Sequence, residues 1–426
     1  MVNNSFYSVL ERLFASGIKF MTVIFLGHVL GAKGQGVYSL YLAVWALISM
    51  FSSLGMGISN NYFGARESSP EAVSALLGNT LVFGILSGIL AAGLTWAIAV
   101  TTDIFRAFPS GYLGILLVGV IVHAVNAPLL GLLLGLNGFK VRMYSTLLNF
   151  GSYLVILVTE RIFGVLTDAT LGRDWLITLM VAMIIWGVYC WRQGNYRITF
   201  RWVLLKQQVA HGWNSFKYFV TSAALVRVDS LIVSYLLGVA AAGIYSVAVY
   251  FAEILMYFPN ALTTVMLTAV GGGKQLPRRF YQSISTLFLI AILATALIIP
   301  LAVTILFPAQ YHSAIYLSEM MLLGVYWLGM GSLGAFHDLG TGNFRKPFVA
   351  SLVAVTLEVA MDFLLIPYIG LIGAAIADTL AYILFGVFVL YSIGKVYQQS
   401  IFQLLLPINP INLIRDLKTS YAQRKP

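Results

Sequence analysis

Charge is scarce in this chain, with only 9 per cent of residues Asp, Glu, Lys or Arg against about 25 per cent in a typical soluble domain. With 60 per cent hydrophobic residues, that scarcity excludes a soluble globular protein and makes lipid the solvent. Cys190 is the only cysteine, which excludes an intramolecular disulfide and a thiolate metal cage. HExxH, GxSxG and paired His or Cys ligands are all missing. His28, His123, His211, His312 and His337 are scattered singly, so the chain is not expected to be an enzyme or to carry a resident cofactor or metal. Gly271-Gly-Gly-Lys274 lacks the spacing and preceding strand of a phosphate loop and reads as a connection. No stretch alternates in polarity over about ten residues, as barrel strands would. The first apolar run has no basic residues before it and carries Arg12 and Lys19 within it, so it reads as a span and not as a signal peptide.

What the chain has in abundance is apolar runs long enough to cross about 30 Å of hydrocarbon. They fall near 8–31, 37–62, 75–101, 111–136, 143–163, 174–191, 213–238, 243–270, 281–308, 312–339, 347–367 and 370–394. The connection of the fifth and sixth is crowded by Glu160, Arg161, Asp168, Arg173 and Asp174. Residues 25–51 are echoed 207 positions later by 232–258, through Leu30/Leu237, Gly31/Gly238, Gly36/Gly243, Tyr38/Tyr245, Ser39/Ser246 and Phe51/Phe258. The echo divides the twelve runs into two sets of six. The expected architecture is an all-α polytopic membrane protein, with about twelve transmembrane helices in two six-helix lobes around a central cavity. Its parts are a first lobe over 1–191, a linker over 192–212, a second lobe over 213–394 and a tail over 395–426. Internal repeats embedded in lipid are the usual construction of a transporter with its path at the repeat interface.

The net charge of +10 is distributed unevenly. With the N-terminus inside, eighteen basic residues fall in the inner loops and tail, while Lys33, Arg106, Arg161 and Arg173 alone fall outside. This positive-inside bias predicts cytoplasmic termini. Basic residues spread over separate loops do not form a nucleic-acid patch. The linker interleaves Arg192, Arg197, Arg201 and Lys206 with Trp202, Val203, Leu204 and Leu205; such a segment is expected to lie on anionic membrane lipids. The tail, with Ile401, Phe402 and Leu404–Leu406 ahead of Pro407 and Pro410, reads as interfacial in the same way.

An ionisable side chain at bilayer depth costs roughly 2.5–3.5 kcal/mol even on permissive insertion scales, so each one present is a candidate functional group. In the first repeat these are Glu11, Arg12 and Lys19, with Ser16 between the two cations. Seven residues apart, Arg12 and Lys19 share nearly one helix face. A basic, hydroxyl-bearing stripe of this kind suits an anion such as a phosphate; the alternative is that Lys19 snorkels and Arg12 sits at the surface. The second repeat carries Asp229, Glu253, Glu319, Glu358, Asp362 and Asp378 against Arg227 alone. Six carboxylates in one apolar lobe cannot all be ionised; some must be protonated, paired with Arg227 or bound to a cation. That is the chemistry of proton or sodium coupling, with an Arg227-centred structural or gating network, including Glu253 and Glu319, as the alternative.

Three stretches carry a resemblance. Tyr250-Phe-Ala-Glu253-Ile-Leu-Met-Tyr-Phe-Pro259 after Gly243-Ile-Tyr-Ser246, Gly36-Val-Tyr-Ser-Leu40 with Leu54-Gly-Met-Gly57, and Ile366-Pro-Tyr-Ile-Gly370-Leu-Ile-Gly-Ala-Ala-Ile-Ala377 resemble patterns in the multidrug/oligosaccharidyl-lipid/polysaccharide (MOP) superfamily. The similarity is to its polysaccharide exporters. It implies a Wzx-type flippase that carries a polyprenyl-diphosphate-linked oligosaccharide across a bacterial inner membrane and delivers it toward polysaccharide polymerase machinery. Lipid II flippases of the superfamily bind sodium through the first, fifth and sixth helices of the second lobe. The resemblance therefore implies Asp229, Asp362 and Asp378 as sodium ligands, with Glu358 beside them. Acids at Glu358 and Asp378 stand where neutral oxygens would be expected, which leaves proton and sodium both open. Lipid II flippases and multidrug extruders are the alternatives within the superfamily. A non-transporting membrane scaffold would leave the buried acids unexplained.

Overall fold

A computed structural model describes residues 2–66, 69–102, 112–271 and 277–407. The expected loop at Gly272–Lys274 and the tail beyond 407 lie outside the described residues. Among these residues the secondary structure is helical throughout, and twelve helices are long and apolar enough to cross a membrane. Each overlaps one of the twelve runs expected from the sequence, the second over 37–53 only. By internal packing the chain falls into two units, 1–246 and 247–426.

The first unit contains α1 (Val2–Val29), α2 (Gly31–Ser53), α3 (Met56–Arg66), α4 (Pro70–Thr101), α5 (Leu113–Gly135), α6 (Phe139–Ile162), α7 (Asp168–Gln193), α8 (Trp202–Ala224) and α9 (Val228–Leu237). Helix α10 (Val239–Glu253) begins within it. The crowded connection before α7 resolves into ion pairs: Arg173 reaches Glu160 at 2.6 Å and Asp174 at 2.8 Å, and Lys33 lies 3.5 Å from Asp168. Asp168 in the first turn of α7 also complements the partial positive charge of a helix N-terminus. Those charges let α7 begin six residues before the expected apolar run.

The second expected run is not one helix. Leu54 (φ 43°) and Gly55 (φ 76°) are both left-handed and separate α2 from α3. Gly55 is required twice over: its positive φ disfavours any Cβ, and a Cβ there would collide with the Gly212 carbonyl of α8. Span seven breaks likewise at residues 225–227, where tight i→i−3 hydrogen bonds join Val226 to Ala223 and Arg227 to Ala224. The echoed glycines both take positive φ, 65° at Gly31 and 91° at Gly238. Each turns the chain into a helix whose fifth step is again a glycine.

The second unit contains the rest of α10, a 3-10 turn at Ile254–Met256, then α11 (Tyr257–Gly271), α12 (Arg278–Leu306), α13 (Ser313–Gly340), α14 (Arg345–Ile369), α15 (Leu371–Tyr397) and the short α16 (Ile401–Leu405). The break after Glu253 precedes Pro259, whose ring cannot accept the carbonyl four residues back within an unbroken helix. Gly370 (φ 62°) turns α14 into α15, and Gly373 packs on the Leu365 and Ile366 backbone. Helix α15 lies along both α13 and α14.

Candidate functional site

Lys19 stands mid-span. The apolar stretch of α1 runs from Leu10 to Val29, so Lys19 lies about 13 Å from the nearer end at 1.5 Å per residue. That depth exceeds the reach of a four-carbon stem and works against snorkelling. Its ammonium sits over the Phe150 ring of α6, 4.4 Å from the centroid, and the charges of Arg227 and Glu11 act on it. Arg12 is half-buried two residues from the start of the apolar stretch. The Ser16 hydroxyl donates to the Arg12 carbonyl at 2.5 Å, so it can donate to an anion only by giving up that local bond. Glu11, 4 per cent exposed, accepts from the Arg142 side chain of α6 at 2.9 Å. Arg142, which sequence alone places in an inner loop, thereby neutralises the one acid of this helix. The result is a cationic zone on α1, with Arg227 drawn into it.

Arg227 is at the N-terminal boundary of α9, inside span seven, and Asp229 lies in the first turn of that helix. The Asp229 carboxyl is buried beside Arg227, Ser230 and Tyr245. Tyr245 is the echo of Tyr38, which stacks on Tyr153 at 5.9 Å. The first unit therefore holds both the cations and one of the acids.

In the second unit, Glu358, Asp362 and Asp378 are each 0 per cent exposed. Asp362 and Asp378 lie eight residues either side of Gly370, at the same depth in the adjacent helices α14 and α15, and Glu358 is one turn further along. Thr379 beside Asp378 donates to the Met320 carbonyl of α13 at 3.2 Å, fixing the register of α15. Glu253 is half-buried at the break in span eight, and Glu319 is exposed on α13. Among the described residues no three His, Cys, Asp or Glu side chains are grouped as metal ligands.

Two features escaped the sequence reading. Asp338, 3 per cent exposed at the end of α13, lies 3.5 Å from the Ser392 hydroxyl and adds a buried acid to the second unit. In the first, Asn60, Asn79, Thr80 and Gln208 form a network with 0 per cent exposure of each. Gln208 donates to Asn60 at 2.6 Å, Asn79 donates to Gln208 at 2.7 Å, and Asn60 donates to Thr80 at 2.7 Å and to the Pro128 carbonyl at 2.9 Å. Asn60 and Asn79 inside apolar runs were the available signal, whereas Gln208 stands in the linker and gave none.

Residues 26–322 match the family described as polysaccharide biosynthesis protein, and the chain belongs to that family. An uncharacterised membrane protein of Methanocaldococcus jannaschii is 20 per cent identical, covering 92 per cent of this chain and 83 per cent of its own length. Among solved structures, the lipid II flippase MurJ in an inward closed conformation superposes with a TM-score of 0.73 at 15 per cent identity, covering 100 per cent of this chain and 94 per cent of that one. An inward-facing multidrug resistance MATE family transporter of the MOP superfamily gives 0.68 at 14 per cent, covering 93 and 96 per cent. The fold is thus that of MOP-superfamily transporters. The protein is a multi-pass membrane member of the polysaccharide biosynthesis family with that fold.

Proposed function

We propose that the protein moves a polyprenyl-diphosphate-linked oligosaccharide from the inner to the outer leaflet of a cytoplasmic (inner) membrane, with both termini inside, making the repeat unit available to polymerising machinery. The observation that carries this reading is Lys19, a cation at mid-membrane depth on one face with Arg12, in a chain of the polysaccharide biosynthesis family. A diphosphate crossing the bilayer must leave its water, and fixed cations offset that desolvation without having to move. Arg12 and Lys19 receive the diphosphate, with Ser16 supplying a hydroxyl once its backbone bond opens.

The coupling cation, a proton or a sodium ion, is taken up by the buried acids, Asp229 in the first unit and Glu358, Asp362 and Asp378 in the second, each unit's acids by themselves. Outward movement of an anionic headgroup is favoured by a negative-inside potential, at about 2.3 kcal/mol per charge per 100 mV. Resetting the empty carrier is the harder step of alternating access. A cation entering from outside neutralises the acids and drives the return to the extent that it binds the two states unequally. The structural likeness to a lipid II flippase supports a second reading, with the peptidoglycan precursor as the lipid-linked substrate.

The test is polysaccharide display in a host deleted for its own exporter. Arg12→Ala combined with Lys19→Ala should abolish display at normal protein level. Full display by the double variant would contradict the assignment, and rescue of a lipid II flippase deletion instead would select the second reading.

A further inference from the structure

The start of α8 has two faces of different chemistry. Leu205, Gln208 and Gly212, at helical spacing, are buried, whereas Trp202 is 57 per cent and Val203 72 per cent exposed. Phe200 is 49 per cent exposed, and Arg197, Arg201 and Lys206 are exposed among these apolar side chains. The Lys206 ammonium lies 5.4 Å from the Trp202 ring centroid, so cation and indole occupy one surface. The backbone beneath is fixed. Thr199 donates to the Ser74 carbonyl at 3.2 Å, and the Asn79 amide accepts from the Arg201 N–H at 3.0 Å while donating to its carbonyl at 3.2 Å.

We propose that residues 197–206 form a binding surface for anionic lipid headgroups, and that its occupancy is transmitted to α3 and α4 through Gln208. A soluble anion would be satisfied by the cations and would leave Trp202, Val203 and Phe200 in water. An anionic lipid meets both, phosphate against the cations and acyl chain against the apolar side chains, as indoles do at headgroup level. Clamping of the Arg201 backbone fixes the stem from which its cation extends, so no backbone ordering is needed when the lipid binds. Gln208 lies on the opposite face in the buried Asn60–Asn79–Thr80 network. A displacement of α8 must therefore carry α3 and α4 with it or leave buried amides unsatisfied.

The experiment places a bimane at Val203→Cys in a Cys190→Ser background and reconstitutes the full chain in phosphatidylcholine vesicles. A minor fraction of brominated phosphatidylglycerol or brominated phosphatidylcholine is included as quencher. Phosphatidylglycerol should quench preferentially. Replacing Arg197, Arg201 and Lys206 together by Gln should cut that preference at least fivefold, since even one surface cation is worth about that factor, while Lys at both arginine positions should retain it. Equal quenching by the two lipids in the parent, or an undiminished preference in the Gln variant, would overturn the lipid surface.

Hydrogen exchange reads the transmission. Phosphatidylglycerol should slow exchange across 56–66 in the parent but not in Gln208→Met, which keeps the quenching preference. Unchanged exchange in the parent, or an equal response in Gln208→Met, would overturn that half. Neither readout involves transport, so failure of the flippase reading would leave both results standing.

Discussion

Gly36 and Gly243, 207 positions apart in sequence, pack against each other's helices in a reciprocal contact. A Cβ on Gly36 would strike the Val239 carbonyl, and one on Gly243 would strike the carbonyl of Ala32, the residue that the repeat makes equivalent to Val239; it would also come within 2.8 Å of the Gly36 nitrogen. This i-to-j, j-to-i pattern is what a two-fold axis produces at a self-complementary contact. Gln35 extends it with a 3.3 Å hydrogen bond to Ser246. Small residues four apart let membrane helices approach closely where lipid supplies no hydrophobic drive.

Gly36→Val and Gly243→Val should therefore be similarly harmful. Overpacking costs about 1–3 kcal/mol, and neither carbonyl can give way without moving a helix. Thermal unfolding in detergent should show lowered midpoints of comparable size for both. A harmless substitution at either position would show that the approach is looser than described.

The Glu11–Arg142 pair should be strongly coupled. Breaking it by Glu11→Gln leaves a largely buried charge uncompensated, at a cost on the order of 1–3 kcal/mol. The double replacement Glu11→Gln with Arg142→Gln should be less destabilising than the sum of the two singles in a double-mutant cycle. Strict additivity would show that the 2.9 Å contact contributes nothing.

His211 makes the α3–α8 packing pH-sensitive. Its ring stacks on Tyr62 at 4.3 Å, and Arg66 lies over the other residue of that stack, 4.4 Å from the Tyr62 centroid. Burial, followed by the Arg66 charge, lowers the imidazole pKa below its ordinary 6.5. A depressed pKa means that the folded state binds the proton less well than the unfolded state. Its stabilisation is therefore present above pH 6.5 and lost as the pH falls through the folded-state value. The protection factors of α3 amides, taken against the intrinsic exchange rate at each pH, should fall on acidification, and His211→Phe should remove that dependence.

Orientation follows from the charge bias. Reporter fusions after Lys274 and Arg345 should read cytoplasmic, and fusions after Ala241 and Gln310 external. An external signal from the connection between α11 and α12 would invert the proposed topology.

All twelve spans were legible in the sequence because twenty apolar residues in lipid have little choice but to form a helix. The turns at Gly31, Gly238 and Gly370 were marked by their glycines. The breaks within spans were not. Leu54-Gly55 separates two helices that read as one apolar run, since hydropathy carries no information about φ. Lys19 was visible as a mid-span charge, but its seat over Phe150 and the proximity of Arg227 depend on packing between helices far apart in sequence. Arg142 was counted as a loop cation because Glu11, 131 residues away, gives no local sign of pairing. Asn60 and Asn79 were each visible as isolated amides, and only the fold makes them one network with Gln208.

The most direct test of the account is flipping of a fluorescent polyprenyl-diphosphate oligosaccharide by purified protein in liposomes, with substrate binding measured in parallel. Lys19→Ala should weaken binding itself. Asp229→Asn or Asp362→Asn should leave binding intact and slow turnover, and flipping should respond to an imposed proton or sodium gradient. Turnover indifferent to both gradients would make the acids structural, and unimpaired binding and flipping by the Arg12→Ala, Lys19→Ala double variant would contradict the central claim that these cations carry the diphosphate.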